Sequence, residues 1–125
     1  MSDLNIYKKC FIEFIEKLYG KSFQDNDWSV DFNIDLNQEF ESEMKKLHAY
    51  FELSEAALRQ QDYITAQVAF LYIKIHALNL FGFFQNIYDD LDSLPNSEGQ
   101  LFSIPENFII PEHYNFDNKM RNFAT

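Results

Sequence analysis

The amino-acid sequence predicts a mainly α-helical (α+β) domain, with three main helices and a small antiparallel sheet of two or three strands. Long runs in which apolar residues recur every three or four positions favour helices. The chain contains only three glycines and three prolines among 125 residues, which leaves little material for tight hairpins. One stretch, residues 28–36, alternates instead and favours a strand. A chain of this length suits one domain, so we treat residues 1–125 as a single domain.

The first helix is expected over residues 3–19. Gly20 follows its end, where a residue with positive φ commonly stops a helix. The apolar face of this helix consists of Tyr7, Cys10, Phe11, Phe14, Ile15 and Leu18. Because free cysteine is among the residue types most often buried, we expect Cys10, the lone cysteine, to pack in the core.

The sequence W-S-V-D-F-N-I-D-L-N, residues 28–37, has a period of two. Its apolar members are Trp28, Val30, Phe32, Ile34 and Leu36. At 180° per residue they all fall on one side, whereas at 100° per residue they scatter around a helix axis. We therefore predict a half-buried strand. Such a strand needs partners for its backbone groups, and residues 100–104 and 107–110 are the candidates.

The second and third helices are expected over residues 37–60 and about 63–91. Asp35 or Asn37 can cap the second helix, and Asp62 can cap the third. The inward stripe of the second helix is expected at Phe40, Met44, Leu47, Phe51, Ser54 and Leu58. Residues 57–70 resemble the turn of a tetratricopeptide repeat, with Asp62, Tyr63, Ala66 and Phe70 at matching positions. The turn occurs once, whereas such arrays need about three repeats, so it implies a helical hairpin packed through small residues.

The third helix is apolar nearly all round from Val68 to Phe84. Lys74, His76 and Asn79 interrupt this run, which is also short for a bilayer. We therefore expect a central core helix that is covered on several sides, and no membrane span.

Acidic residues are concentrated in two segments of a chain whose formal net charge is -10. No Lys or Arg lies between Lys21 and Lys45 or between Lys74 and Lys119, and each segment contains seven acids. Such a surface repels nucleic acid and anionic membranes and attracts a basic protein. On a strand, Asp27, Asp31 and Asp35 would form an outward row that leads into the second helix. The predicted partner-binding residues are Asp27, Asp31, Asp35, Glu39, Glu41, Glu43, Asp89, Asp90 and Asp92.

The sequence contains no recognisable catalytic or cofactor motif. It has neither a Cys/His cluster for a metal nor a glycine-rich loop for phosphate. Residues 31–35 open like an EF-hand loop, but Leu36 and Ser42 stand where that loop requires Gly and Glu. We expect no cofactor, no metal and no enzymatic activity. The alternative is a metal-dependent or hydrolytic enzyme that uses His48 and Glu52, four residues apart on the second helix.

In size, acidity and lack of catalytic motifs, the chain resembles small bacterial immunity proteins, which neutralise nuclease-type toxins by occluding them with an acidic surface. This resemblance implies a cytoplasmic inhibitor that binds a basic toxin domain, with no nucleic acid or membrane as a partner. A monomer is favoured over a homodimer. The alternative is a small acidic secretion-type chaperone that binds an extended effector segment. An obligate dimer would favour the chaperone, and a monomer would favour the inhibitor.

Overall fold

The computed structural model describes residues 3–94 and 101–120, and its body consists of three α-helices. These are α1 (Leu4–Tyr19), α2 (Leu36–Arg59) and α3 (Tyr63–Asp92). Short 3₁₀ helices occupy Asp25–Asp27, Glu112–Tyr114 and Asn118–Met120. Helices α2 and α3 form an antiparallel hairpin and pack along their length, whereas α1 lies against one end of α2. All three predicted helices are confirmed to within one residue at each end.

The predicted helix ends are confirmed by their capping geometry. Gly20 adopts the left-handed conformation, with φ of 71°, at the end of α1. The carboxylate of Asp35 accepts the backbone N–H of Gln38 at 3.1 Å, and that of Asp62 accepts the N–H of Thr65 at 3.1 Å. These bonds satisfy N–H groups that the first turn of a helix leaves without an intrahelical acceptor.

The predicted antiparallel sheet is wrong. Residues 3–94 and 101–120 contain no β-strand, so the described fold is all-helical. Residues 28–35 run as bends and a turn between α1 and α2. The proposed partner segments, at residues 101–104 and 107–110, contain only an isolated bridge residue, Ile109. Gln100, the first residue of one proposed strand, lies outside the described residues.

The alternation in residues 28–36 nevertheless predicts burial correctly. Val30, Phe32 and Leu36 are buried in the hydrophobic core. Trp28 and Ile34 are partly buried and pack against the same core. The polar residues between them are all exposed. A period of two therefore indicates which side chains face the core. It does not require the segment to pair with a neighbouring strand.

Asp90 supplies part of the hydrogen bonding that a partner strand would have provided. Its carboxylate accepts the backbone N–H of Ser29 at 2.6 Å and that of Val30 at 3.0 Å. Asp90 lies in the last turn of α3 and is only 3% exposed. A buried N–H group needs an acceptor, but the acceptor can be of any kind. One side chain from α3 therefore replaces two of the backbone hydrogen bonds that a β-sheet would have provided.

The N-termini of α1 and α2 cap each other. The side-chain oxygen of Asn37 accepts the Leu4 N–H at 2.6 Å, and that of Asn5 accepts the Leu36 N–H at 3.0 Å. Asn5 also donates to the carboxylate of Asp35 at 2.9 Å. This bond, followed by backbone N–H groups of α2, holds the pKa of Asp35 below its ordinary value. Asp35 is therefore part of the junction between the two helices.

The main hydrophobic core lies between α1 and residues 28–36. Phe11 is its centre, because its ring stacks on Phe32 at 5.6 Å and meets the edge of Trp28 at 5.0 Å. The buried members are Phe11, Ile15, Val30, Phe32 and Leu36. Cys10, one residue before Phe11, is exposed, so the prediction that it packs in the core is wrong. Adjacent residues lie about 100° apart on a helix, and only one of the two faces this core.

The hairpin between α2 and α3 is packed through small residues, as predicted. Ala57, Ala66 and Ala69 are all buried near its turn. The predicted inward stripe of α2 is only partly right, because Met44, Phe51 and Leu58 are more than a third exposed. The seam that faces α3 includes polar positions and runs through Phe40, Glu43, Leu47, Tyr50, Ser54 and Ala57.

Helix α3 is not covered on several sides, so that prediction is wrong. Only 11% of its most apolar 18-residue window is buried, because α2 packs against a single face along its length. By length and composition, α3 could cross a membrane, with a mean hydropathy of 1.3 over that window. A single helix that meets these criteria does not by itself assign a protein to a membrane.

The Tyr7 hydroxyl is buried and finds no hydrogen-bond partner within residues 3–94 and 101–120. Burial, and then the nearby Asp90 carboxylate, raise the pKa of Tyr7 to about 12. The folded state therefore retains a proton that the unfolded chain releases above its ordinary pKa of 10.0. Tyr7→Phe should raise the free energy of unfolding by about 1 kcal/mol near neutral pH, because it removes an unsatisfied buried group.

Urea unfolding of the Tyr7→Phe variant and the parent chain between pH 8 and 12 tests this prediction. The parent should lose stability as pH rises from about 10 to about 12, and the variant should lack that component of the loss. A variant less stable than the parent at pH 8 would show that the hydroxyl has a partner in solution.

Candidate partner-binding surface

The fold brings the first acidic segment and the acids at the end of α3, Asp89, Asp90 and Asp92, to one end of the molecule. In the antiparallel hairpin, the start of α2 lies beside the end of α3. The Asp90 carboxylate, in the last turn of α3, accepts hydrogen bonds from the backbone of Ser29 and Val30 and so holds them at that end. Asp27 precedes this anchored stretch by two residues, and Asp92 is the last residue of α3. Acids from segments about 60 residues apart in sequence therefore contribute to one surface potential.

A cleft of about 470 Å³ opens at this end, between residues 29–36 and the facing parts of α2 and α3. Three of the predicted acids line it, namely Asp31, Glu39 and Glu43. The apolar part of its lining includes Ile34, Leu36, Phe40, Leu78 and Phe83. The site thus combines carboxylates with an apolar wall.

Glu43 is the most constrained of the three cleft acids. Its carboxylate lies 2.8 Å from Nδ1 of His76 and accepts a hydrogen bond from Asn79 at 3.3 Å. The His76 ring in turn stacks on Tyr50, with 5.6 Å between ring centroids. Burial raises the pKa of Glu43, but the bonds from His76 and Asn79 together outweigh burial and leave the pKa below its ordinary value. Glu43 is therefore a fixed, ionised group in the cleft wall at neutral pH.

The other predicted acids of the first segment are placed differently. Asp31 and Glu39 are exposed at the cleft, whereas Glu41 lines a separate shallow depression on α2. Asp27 belongs to the 3₁₀ helix Asp25–Asp27, and Asp35 is the cap of α2. The prediction that Asp27, Asp31 and Asp35 form a straight outward row is wrong, because residues 28–35 bend and turn instead of extending as a strand.

Asp90 does not belong to the exposed acidic surface, and this is the main correction to the predicted site. Its neighbour Asp89 is exposed and accepts a hydrogen bond from Gln85 at 2.8 Å. The sequence does contain a signal for the burial of Asp90. It follows Phe83 and Ile87 at helical spacing, and both of these side chains pack against the core cluster.

No catalytic arrangement is apparent in the described residues. His48 Nε2 lies 2.6 Å from Glu52 Oε1, with both side chains 69% exposed. Such pairs one turn apart are common on helix surfaces. Within residues 3–94 and 101–120, no group of three or more His, Cys, Asp or Glu residues is arranged to hold a metal ion. The absence of a cofactor and of enzymatic activity stays a prediction.

No protein-family model matches the chain, and no curated protein matches it. A solved structure does match, described as that of a functionally unknown protein from Neisseria meningitidis MC58. The two share 22% sequence identity with a TM-score of 0.64, and the match covers 84% of this chain and 98% of the other. At this identity the similarity shows a shared fold alone. Fold and site together define a small helical domain with an acidic cleft.

Proposed function

We propose that this chain is a cytoplasmic protein-binding domain whose acidic cleft receives basic side chains of a partner protein. The convergence of Asp31, Glu39 and Glu43 on one apolar-walled cleft carries this proposal. The specific form that we favour is an inhibitor of the immunity-protein class, which neutralises a basic, nuclease-type toxin domain by covering its active surface.

The chemistry of the cleft suits lysine and arginine. Their side chains combine an apolar stem with a cationic head, and the cleft offers Phe40 and Phe83 beside its carboxylates. Arginine bonds to carboxylates are charge-assisted and can be bidentate. The bonds from His76 and Asn79 hold the Glu43 carboxylate in place before the partner arrives.

An acidic inhibitor also suits a toxin that acts on nucleic acid. Such a toxin must present cations to phosphate groups, and an acidic surface competes for those cations. Complementary charge accelerates encounter, with association rate constants of up to about 10⁸ M⁻¹s⁻¹ at low salt. Eight of the nine predicted acids remain candidates for partner binding, because they are exposed or line the cleft. Asp90 is excluded, because it is buried and bonds to the backbone of Ser29.

Charge reversal at the cleft tests the proposal. We expect Asp31→Lys combined with Glu39→Lys to weaken binding of a basic toxin domain about 100-fold and to slow its association. The natural probe is the protein encoded beside this one, with toxin activity and binding kinetics measured at several salt concentrations. Asp35 is unsuitable as a target, because its substitution would break the cap of α2.

The matched control is Glu13→Lys combined with Glu106→Lys, which reverses two exposed charges outside the cleft. It should reduce the association rate only modestly and leave inhibition intact. If the cleft variant and the control weakened binding equally, net charge alone would account for the interaction. If the neighbouring gene product did not bind at all, the immunity hypothesis would fail.

A secretion-type chaperone is the second candidate function, and the exposed apolar surface of the hairpin favours it. Met44, Phe51 and Leu58 follow one another every seven residues on α2 and are each at least 40% exposed. An apolar effector segment could lie along such a face. Salt separates the two functions, because binding of a basic partner weakens as salt rises, whereas binding through an apolar face does not.

A further inference from the structure

Helix α3 carries an apolar stripe that the described part of the chain leaves uncovered. The stripe consists of Ile64, Val68, Leu71, Ile75, Leu78 and Gly82, spaced 4-3-4-3-4 along the helix. Ile64 is 79% exposed and Leu78 is 64% exposed. A Cβ atom added at Gly82 would meet no described atom within 4 Å beyond its chain neighbours and the adjacent backbone of α3. Spacing of this kind is the seam along which one helix packs on another.

The stripe is symmetric about Ile73, and its two ends are complementary in size, with the exposed Ile64 at one end and Gly82 at the other. In an antiparallel pair of α3 helices centred at that position, Ile64 of one copy meets Gly82 of the other. Val68 then meets Leu78. At the centre, Leu71 meets Ile75. The most exposed side chain of the stripe therefore faces the residue without a side chain. We infer that α3 packs against α3 of a second copy of this chain, as a two-fold antiparallel dimer.

The distribution of charge allows this self-association despite the net charge of -10. Lys74 is the only Asp, Glu, Lys or Arg residue from Tyr63 to Tyr88. The acids that dominate the net charge lie elsewhere, so their repulsion acts over long distances and is screened by salt. Salt should therefore strengthen the dimer, whereas it should weaken binding of a basic partner.

The stripe exposes a large share of the apolar area that a stable interface needs. Its five side chains are each 42–79% exposed and together expose on the order of 600 Å², so flanking side chains must supply the rest of the roughly 800 Å² per partner of a standard interface. Each chain retains its own core between α1 and residues 28–36. We therefore expect a dimer that dissociates into folded monomers, in place of the monomer expected from the sequence.

A lipid bilayer fits α3 less well than a second copy does. Helix α2 packs along α3 and carries many charged side chains, among them Glu39, Glu41, Lys45 and Lys46. Insertion of α3 would draw part of this charge toward the hydrocarbon region, where charged groups are costly. Pairing with a second copy buries the stripe and leaves the charged face of α2 in water.

Light scattering after size exclusion, over a range of concentrations, tests the dimer. The mass should rise from 14.9 kDa for one chain toward twice that value, and more readily at higher salt. Leu71→Glu should weaken dimerisation at least 100-fold. Its matched control is Ile6→Glu on α1, a residue of similar exposure, which should leave dimerisation unchanged. Circular dichroism checks that both variants fold.

Disulfide trapping tests the antiparallel register. In a Cys10→Ser background, chains with Ile64→Cys should cross-link to chains with Gly82→Cys under mild oxidation. Chains with Ile64→Cys should not cross-link to one another, because the two copies of that position lie at opposite ends of the interface. Gly82→Leu should weaken the dimer, and adding Ile64→Ala should restore it.

Three outcomes would overturn this inference. A mass of 14.9 kDa at every concentration would show that the stripe does not pair with a second copy. Cross-linking between two Ile64→Cys chains would indicate a parallel arrangement. Sedimentation of the protein with phosphatidylserine-containing vesicles, without self-association, would assign the stripe to a membrane. Leu78 and Gly82 line the cleft as well, but the charge-reversal test of the cleft uses Asp31 and Glu39, which lie outside the stripe, so failure of one proposal can be distinguished from failure of the other.

Discussion

Asp90→Ala is expected to lower the free energy of unfolding by about 3 kcal/mol. The substitution removes the acceptor of two backbone N–H groups, those of Ser29 and Val30, at 2.6 and 3.0 Å. A hydrogen bond to a charged group contributes about 1.5–3 kcal/mol, and a buried donor left without an acceptor carries a desolvation penalty. Because Asp90 is only 3% exposed, water cannot readily replace the carboxylate.

Urea unfolding monitored by the fluorescence of Trp28, the single tryptophan, measures this effect. Asp89→Ala is the matched control, because this neighbouring acid is exposed and its loss should change stability by less than about 0.5 kcal/mol. Asp90→Asn, which keeps one side-chain acceptor, should fall between the two. Equal effects at both positions would mean that Asp90 acts through net charge and not through its two backbone partners.

The loss of Asp90 should also weaken partner binding without removing a charge from the cleft. Residues 29–36 present Asp31 to the cleft, and Asp90 holds the start of this stretch against α3. Asp90 is thus a positioning residue for the proposed site. Asp90→Asn should recover part of the affinity that Asp90→Ala loses. No comparable intermediate variant exists for charge reversal at Asp31.

Phe11→Ala is expected to lower the free energy of unfolding by about 4 kcal/mol, the range for removing a buried aromatic side chain. The Phe11 ring contacts four other aromatic rings, those of Tyr7, Phe23, Trp28 and Phe32, with centroid distances of 5.0–6.4 Å. Its removal would leave a cavity between α1 and the chain segment that leads into α2. Differential scanning calorimetry would show a lower Tm and a smaller unfolding enthalpy.

Phe14→Ala is the matched control on the same helix. Phe14 is 39% exposed and its ring contacts Phe102 at 6.2 Å, so its loss should cost about 1 kcal/mol. Phe11→Leu, which fills part of the cavity, should retain more of the stability than Phe11→Ala. A larger loss at Phe14 than at Phe11 would contradict the placement of the core beside residues 28–36.

The helices and their ends could be predicted from sequence because their causes are local. Apolar spacing defines one face of a helix, and caps such as Asp35 and Asp62 act on N–H groups only three residues away. The burial pattern of residues 28–36 could also be predicted, because side-chain alternation is a property of the segment itself. The strand prediction was wrong because most of the described partners of its backbone groups are not local. The Asn33 N–H donates to the nearby Asp31 carboxylate, but the other partners are Asn5, Lys8 and Asp90, up to 61 residues away.

Part of the candidate site could likewise be predicted from the sequence, and part depends on the tertiary structure. The acidic composition predicted a basic partner, and the spacing of Asp90 after Phe83 and Ile87 indicated its burial. Sequence alone could not bring Asp31, Glu39 and Glu43 to one cleft or identify Ser29 and Val30 as the partners of Asp90. That sorting depends on the antiparallel hairpin, which places the start of α2 beside the end of α3.

By itself, the sequence determined three helices, their caps, the inward side of residues 28–36 and the strong negative charge. These properties depend on interactions within a few residues or on composition. Only the tertiary structure decided that the alternating segment is not a strand, that Asp90 bonds to Ser29 and Val30 and that α3 remains exposed. The physical reason is that backbone partners and buried area depend on which distant elements pack together. For α3, the described chain supplies α2 along its length and residues 28–36 at its end, and leaves the stripe from Ile64 to Gly82 open.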